Sequence, residues 1–380
     1  MEIPSVKNIK NLKGKKVLLR GSLNVPMKNG RVADDFRLRS LLPTLEYLEK
    51  KGAKIILIGH IGRDPKETLK PVAEYFNKKL GKTVGFAPDL YASDLPERVN
   101  NLGNGQILML ENVRRYPEET AGDKKFAKHL ASFGEVYVNE AFAASHRKHA
   151  SITGVPQFLP GYAGLRFLEE VKHLTKAENP RHPFLFIIGG AKFETKVPLL
   201  KKFTKIADRV FVGGAIANDL WKAAGVETGK SLVGKDDPFA AALVKKANVL
   251  SPLDVVVESA GKSAVRNREE MKKADVIVDA GPKTIAELQE EVKKAKFILW
   301  NGPLGFYEKG YDKATKKLLK AIAESKAVSV IGGGDTVTLI CKLKMEDIFT
   351  FVSSGGGAML DFLEDGSLPG IEALQKSTSE

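Results

Sequence analysis

The chain has 380 residues, more than one hydrophobic core of ~250–300 residues can serve, so its length asks for two domains. With 43% hydrophobic and 28% charged residues, a single cysteine (Cys341) and only short apolar runs, the composition excludes a disordered chain, a disulfide scaffold and a helical membrane span. The net charge of +14 is uneven: residues 1–179 carry 30 Lys+Arg against 20 Asp+Glu, and residues 180–380 carry 30 against 26. The lone thiol and the absence of an apolar stretch in residues 1–10 predict a cytoplasmic protein without a cleaved signal.

Taken in chain order, short apolar runs alternate with helical periodicity. Lys16–Arg20 reads as a strand, 36–51 as a helix, Lys54–Ile58 as a strand, 71–80 as a helix and Ile107–Leu110 as a strand. The pattern restarts at Phe184–Ile188 and runs through 210–212, 255–257, 276–278, 297–300, 328–331 and 349–352. This alternation predicts an α/β protein of two doubly wound, Rossmann-like parallel-sheet lobes. Between them, 164–176 reads as a polar-faced helix ending at Asn179-Pro180. The predicted division is 1–160 with a C-terminal return over 366–380, a connecting helix over 161–178 and a second lobe over 179–365. Residues 375–380 are expected to fray.

Ligands of open parallel sheets bind beyond the carboxyl ends of the strands, so the residues after each strand are the candidates. In the first half these are Arg20, Ser22 and Asn24 with Arg37 at the next helix start; His60, Gly62 and Arg63; Asn112 and Arg114; and His146, Arg147 and His149. Ten of the fourteen arginines and five of the six histidines precede residue 180. Arginine forks and histidines converging from four strand ends predict a basic bowl for a small polyanion carrying phosphate and carboxylate. His146 and His149, three apart, could instead be a metal pair on one helical face. With no matched carboxylate cluster nearby, they read better as anion donors.

In the second half glycine turns end the strands: Gly189-Gly190, Gly213-Gly214, Gly302 after Asn301, Gly332-Gly333-Gly334 and Gly355-Gly356-Gly357. Such turns let backbone amides approach phosphate or a flat base. No Walker A loop is present, since 225–231 has the wrong glycine spacing, and no turn completes the G-x-G-x-x-G of a nicotinamide enzyme. Asp335 suits magnesium beside a phosphate cradle or a helix N-cap, or both. Lys192 and Lys196, four apart, are expected on one face of a helix start, where they could neutralise a transferring phosphoryl group. A nucleic-acid site would interleave arginines with aromatics, and the 8% aromatics show no such clustering.

The two halves together resemble one family, phosphoglycerate kinase. The resemblance runs in order through Arg20-x-x-x-Asn24-Val25-Pro26, His60-x-Gly62-Arg63, Leu110-Glu111-Asn112-Val113-Arg114, His146-Arg147-x-His149-Ala150-Ser151, Gly189-Gly190-Ala191-Lys192, Trp300-Asn301-Gly302-Pro303, Gly332-Gly333-Gly334-Asp335-Thr336 and Gly355-Gly356-Gly357-Ala358. It implies magnesium-dependent phosphoryl transfer between 1,3-bisphosphoglycerate and ADP, in a monomer that closes about a hinge, with the active site in the interlobe cleft. By the same resemblance Arg20, Ser22, Asn24, Arg37, His60, Arg63, Arg114, His146, Arg147 and His149 would hold the phosphoglycerate, Arg37 as the catalytic arginine. Lys192, Lys196, Asn301, Gly332, Gly333, Gly334 and Thr336 would follow the nucleotide phosphates, with Lys196, Gly333 and Gly356 nearest the moving group. Gly213 and Gly214 would line the base slot, Glu308 would hold ribose, and Asp335 would bind Mg2+.

The departures are Ser22 where the family usually has aspartate, Arg115 for an aromatic, Glu140 for aspartate and Ala143 for glycine. Ser22 leaves a second possibility, a homologue with an altered substrate site or no activity. Because the arginines, lysines and Asp335 persist, activity is the expectation.

Overall fold

The apolar runs become parallel strands because each lies between helices that bury both faces of the sheet. The structure is a computed structural model and describes residues 2–377. The chain divides into two units, 1–172 with 357–380, and 173–356. The division falls inside the helix Leu165–Thr175 and just before the helix Gly357–Asp365. Residues 357–365, expected with the second lobe, therefore group with the first, where Phe362 meets the edge of Phe142 at 5.9 Å.

The first unit contains β1 (Lys16–Arg20), a small ribbon of β2 (Met27–Lys28) and β3 (Arg31–Val32), β4 (Lys54–Ile58), β5 (Val84–Ala87), β6 (Ile107–Leu110), β7 (Val136–Asn139) and β8 (Gly161–Ala163). Its six-stranded sheet has the order β5-β6-β4-β1-β7-β8, all parallel. The chain leaves β1 toward β4 and leaves β7 toward β8 on the other side. The direction of winding thus reverses between β1 and β7, where Arg20 stands opposite Asn139. Such a reversal opens a crevice at the carboxyl ends of the two strands.

The second unit repeats the plan with β9 (Phe184–Ile188), β10 (Arg209–Val212), β11 (Val249–Leu250), β12 (Asp254–Ser259), β13 (Lys262–Asn267), β14 (Val276–Ala280), β15 (Phe297–Asn301), β16 (Val328–Gly332) and β17 (Phe351–Val352). Its parallel sheet runs β11-β10-β9-β15-β16-β17, and the reversal lies between β9 and β15. The runs 255–257 and 276–278, expected as further parallel strands, belong instead to an antiparallel sheet of order β13-β12-β14. The reason is local. Ala260 and Gly261 have φ of 48° and 73°, a two-residue turn of the kind that pairs neighbouring strands, here β12 and β13, antiparallel. β14, reached through 268–275, takes the other edge of β12.

The C-terminal helix Pro369–Ser377 returns to the first unit and packs on the segment Ala150–Gly154 and on β8. Leu368, Ile371 and Leu374 are buried there. Fraying was expected over 375–380. Residues 375–377 are helical, with the Ser377 hydroxyl accepting from the Gly161 amide at 3.0 Å, and residues 378–380 lie outside the described residues.

Candidate active site

In the first unit the reversal between β1 and β7 gathers the basic side chains. Arg20, the last residue of β1, is wholly buried. Its Nε donates to Ser151 Oγ at 2.9 Å, one Nη to the Gly21 carbonyl at 2.6 Å and the other to His60 Nδ1 at 2.8 Å. A guanidinium only donates, so His60 accepts at Nδ1 and carries its proton on Nε2 as a neutral donor. Arg37, second residue of the helix Phe36–Lys50, donates to the Asn24 carbonyl, while Asn24 Oδ1 accepts from the Gly62 amide at 2.9 Å. Arg114 donates one Nη to the Gly62 carbonyl at 2.9 Å. Asn112 ties its own loop to the one after β4, donating to the carbonyls of Ile61 and Glu67 at 3.0 and 2.9 Å.

The electrostatics are those of a site waiting for an anion. Burial, and then the repulsion of Arg20, Arg114, Arg147 and Arg37, hold His60 well below its ordinary range. Burial with Arg114, Arg147, Arg20 and His146 pushes His149 down to about 4. Arg114 is lowered to about 10 by burial, then by Arg147, Arg20 and Arg63. Its Nε and second Nη are buried without partners, as is Nδ1 of His146. Each unpaired buried donor costs about 1–3 kcal/mol, a cost that phosphate or carboxylate oxygens would remove. His146 and His149 do not share a helical face. They lie in a turn between the 3-10 segment Phe142–Ala144 and the π-helical turn Ala150–Gly154, so a metal pair at helical spacing is not formed.

In the second unit four adjacent strand ends meet through glycine. A side chain on Gly189 would lie 2.2 Å from the Pro303 carbonyl, one on Gly302 2.5 Å from the Gly189 carbonyl, one on Gly214 2.7 Å from the Gly190 amide and one on Gly333 2.8 Å from the Gly302 amide. Gly302 and Gly333 also have φ of 91° and 99°. Backbone therefore packs directly on backbone across β10, β9, β15 and β16. The helix Gly334–Lys342 starts here after its N-cap Gly333, and the first amides of such a helix have no partner within it.

Lys196 and Lys192 part company. Lys196 caps the helix Val197–Phe203, whose second residue, Pro198, favours that start. Lys192 lies in the preceding turn and is exposed, not on the helix face expected for it. Lys196 Nζ donates to Asn301 Oδ1 at 3.2 Å, and burial lowers it to about 8. Thr336 is buried and its hydroxyl has no partner. The Asp335 carboxyl is raised by burial and then by the charge of Glu308, two carboxylates a cation would reconcile. Gly356, with φ of 54°, precedes the helix Gly357–Asp365.

The phosphoglycerate kinase family model matches residues 6–366. The chain belongs to the phosphoglycerate kinase family. The phosphoglycerate kinase of Dictyoglomus turgidum is 43% identical, with 96% of each chain covered, and that of Coprothermobacter proteolyticus is 40% identical over 98% of this chain and 99% of its own. Among solved structures, the phosphoglycerate kinase of Pyrococcus horikoshii superposes with a TM-score of 0.88 at 29% identity, covering 99% of this chain and 100% of that one. That of Coxiella burnetii gives 0.84 at 35% identity, with 99% of each covered. Members of this family are phosphotransferases with a carboxyl acceptor.

Against that family background each departure has a local explanation except one. Arg115 turns to the buried Glu111 carboxylate at 2.9 Å. Glu140 reaches the Arg166 amide at 2.6 Å under Gly164, where a side chain would strike its carboxylate. Ala143 sits in a 3-10 turn that needs no glycine. The Ser22 hydroxyl makes no hydrogen bond to any described residue, and nothing in the structure explains it. The sequence reading missed Glu119 altogether. It follows Pro117 and Glu118 at a helix start and reads as an exposed first-turn acid, yet it is fully buried beneath the bowl.

Proposed function

We propose that the chain carries out reversible phosphoryl transfer between 1,3-bisphosphoglycerate and ADP, giving 3-phosphoglycerate and ATP. The observation that carries this reading is the self-repelling basic bowl with its buried, unpartnered donors on Arg114 and His146. A carboxylate nucleophile needs no general base, so catalysis reduces to positioning and charge neutralisation. Asn24, His60, Arg63, Arg114, His146, Arg147 and His149 bind the acid's phosphate and carboxylate, and Arg37 meets the moving phosphoryl group. Arg20, expected among the direct contacts, is wholly buried with its donors on Ser151, Gly21 and His60 and supports the bowl from beneath. Lys196, Asn301, Thr336 and the amides of Gly332, Gly333 and Gly334 take the nucleotide phosphates, Gly213 and Gly214 the base, and Glu308 the ribose. Lys192 and Gly356 supply outlying positive charge and an amide.

Magnesium fits the second unit as part of the nucleotide substrate. Asp335 is a half-buried carboxylate facing a like charge, and among the described residues no three metal-ligating side chains form a cluster. The ion would therefore share Asp335 with phosphate oxygens and water, neutralising phosphate charge. In-line transfer needs the two substrates within bonding reach, so the reading calls for closure about 161–178 when both are bound, seen as compaction in solution scattering. No described helix is long and apolar enough to cross a membrane. The reading is of a cytoplasmic monomer acting on small molecules of glycolysis, not on nucleic acid or membrane.

A coupled assay with ATP, magnesium and 3-phosphoglycerate tests it. Turnover is expected, with a loss of about 10²–10³-fold in Arg37→Ala, the scale of removing one transition-state donor. Ser22→Asp should lower the phosphoglycerate KM about tenfold, through a charged hydrogen bond to a substrate hydroxyl. Absence of turnover in the wild type would defeat the reading.

A further inference from the structure

One buried carboxylate beneath the bowl has no part in the chemistry just described. Glu119, in the helix Pro117–Ala121, is 0% exposed. Oε2 accepts from the Ser151 amide at 2.8 Å and Oε1 from the Ser151 hydroxyl at 2.6 Å, with Oε1 also 3.7 Å from Nδ1 of His149. Ser151 Oγ in turn accepts from Arg20 Nε at 2.9 Å, and Arg20 Nη2 donates to His60 Nδ1 at 2.8 Å.

Every direction in this chain is dictated. A guanidinium has no acceptor and a serine hydroxyl has one proton, so Ser151 must accept from Arg20 and give its proton to Glu119. His60 must then accept from Arg20. Glu119, Ser151, Arg20 and His60 are all buried, where a broken link leaves an unsatisfied polar group. Among the interactions of Arg20 with other ionisable groups, Glu119 most opposes the effect of burial. Ser151 itself is pinned. It lies in the π-helical turn Ala150–Gly154, a rare form found often at functional sites, and its carbonyl accepts from the Tyr137 hydroxyl at 2.7 Å.

We infer that Glu119 is a positioning residue for the anion bowl: acting through Ser151, it orients Arg20 and so holds His60 as the tautomer protonated on Nε2. The role in substrate binding rests on the phosphoglycerate reading of the bowl. The tautomer is a property of the ligand-free protein and does not.

Nitrogen-15 NMR of the histidine rings in the full ligand-free chain reports each His60 nitrogen separately. Wild type should show a bare Nδ1 and a protonated Nε2. In Glu119→Gln and in Ser151→Ala the two nitrogen shifts should move toward each other as the single tautomer is lost. In steady-state assays of these variants the KM for 3-phosphoglycerate should rise about tenfold while that for ATP stays within twofold. A merely structural role would lower the melting temperature and leave the His60 shifts in place. Unchanged His60 shifts in Ser151→Ala, or both KM values moving together, overturns the inference. Should Glu119→Gln fail to fold, Ser151→Ala alone decides. Tautomer loss in a protein without kinase turnover would uphold the positioning of His60 and sink the functional reading instead.

Discussion

At the scale of single residues, burial rather than identity decides what each charge can do. Lys196 is an ordinary lysine in sequence, but desolvation lowers it to about 8, close enough to neutrality to titrate. The charged form is the one that can neutralise phosphate, and it disappears as pH rises. The profile of kcat/KM for the nucleotide should therefore fall about tenfold per unit above pH ~8. Bound phosphate favours the ammonium, so the limb in kcat should lie higher. Lys196→Arg, which stays charged, should abolish the limb even if it turns over more slowly. A wild-type profile flat to pH 10 would remove Lys196 from the reaction. The residue types of the bowl were plain in the sequence, because arginine and histidine recur at successive strand ends. Glu119 was not, because nothing local distinguishes a buried first-turn acid from an exposed one.

At the scale of elements, the glycine turns are where backbone geometry becomes a binding surface. Gly302 combines φ of 91° with a side-chain position 2.5 Å from the Gly189 carbonyl, whereas Gly310, φ 83°, has nothing within 4 Å. Gly310→Ala should cost only about 1 kcal/mol, for its left-handed backbone. Gly302→Ala adds overpacking worth about 1–3 kcal/mol and should weaken nucleotide binding as well. Urea midpoints and nucleotide titration of both variants check this, and equal effects would contradict the packing argument. Strand positions followed from apolar runs for the long central strands, but the short strands β2, β3, β5, β11 and β13 were not covered by any predicted run, and β8 falls in the range expected for the connecting helix. Direction did not follow from the runs, as β12 shows: a run such as 255–257 has the same composition whether its neighbour lies parallel or antiparallel, and the short turn at Ala260-Gly261 sets its pairing with β13. The helix start at Val197 likewise depended on Pro198, a signal present in the sequence but outweighed there by the four-residue spacing of the two lysines.

At the scale of the whole molecule, the first unit is discontinuous in sequence and the second is not. The helix Pro369–Ser377 completes the first unit by packing on the turn that carries Ser151. Ile371→Ala, at a fully buried position, should destabilise the protein by about 2–5 kcal/mol and weaken 3-phosphoglycerate binding. Nucleotide affinity should hold, since the second unit has its own sheet and core. Calorimetric titration with each ligand separates the two, and an unchanged melting temperature would refute the packing role.

By itself the sequence determined the class of the fold, the doubling of its sheets and the residue types at the strand ends, because alternation of apolar runs with helical periods and the chemistry of arginine and glycine are local properties. The excess of positive charge is apportioned by the same local chemistry, with arginine and histidine concentrated in the first half. Only the tertiary structure decided which charges repel, which donors stay unpaired, where His60 keeps its proton and why Glu119 lies under the bowl. Those outcomes depend on burial and on contacts between residues far apart in the chain, such as Arg20 with Ser151, and desolvation is a property of the packed interior.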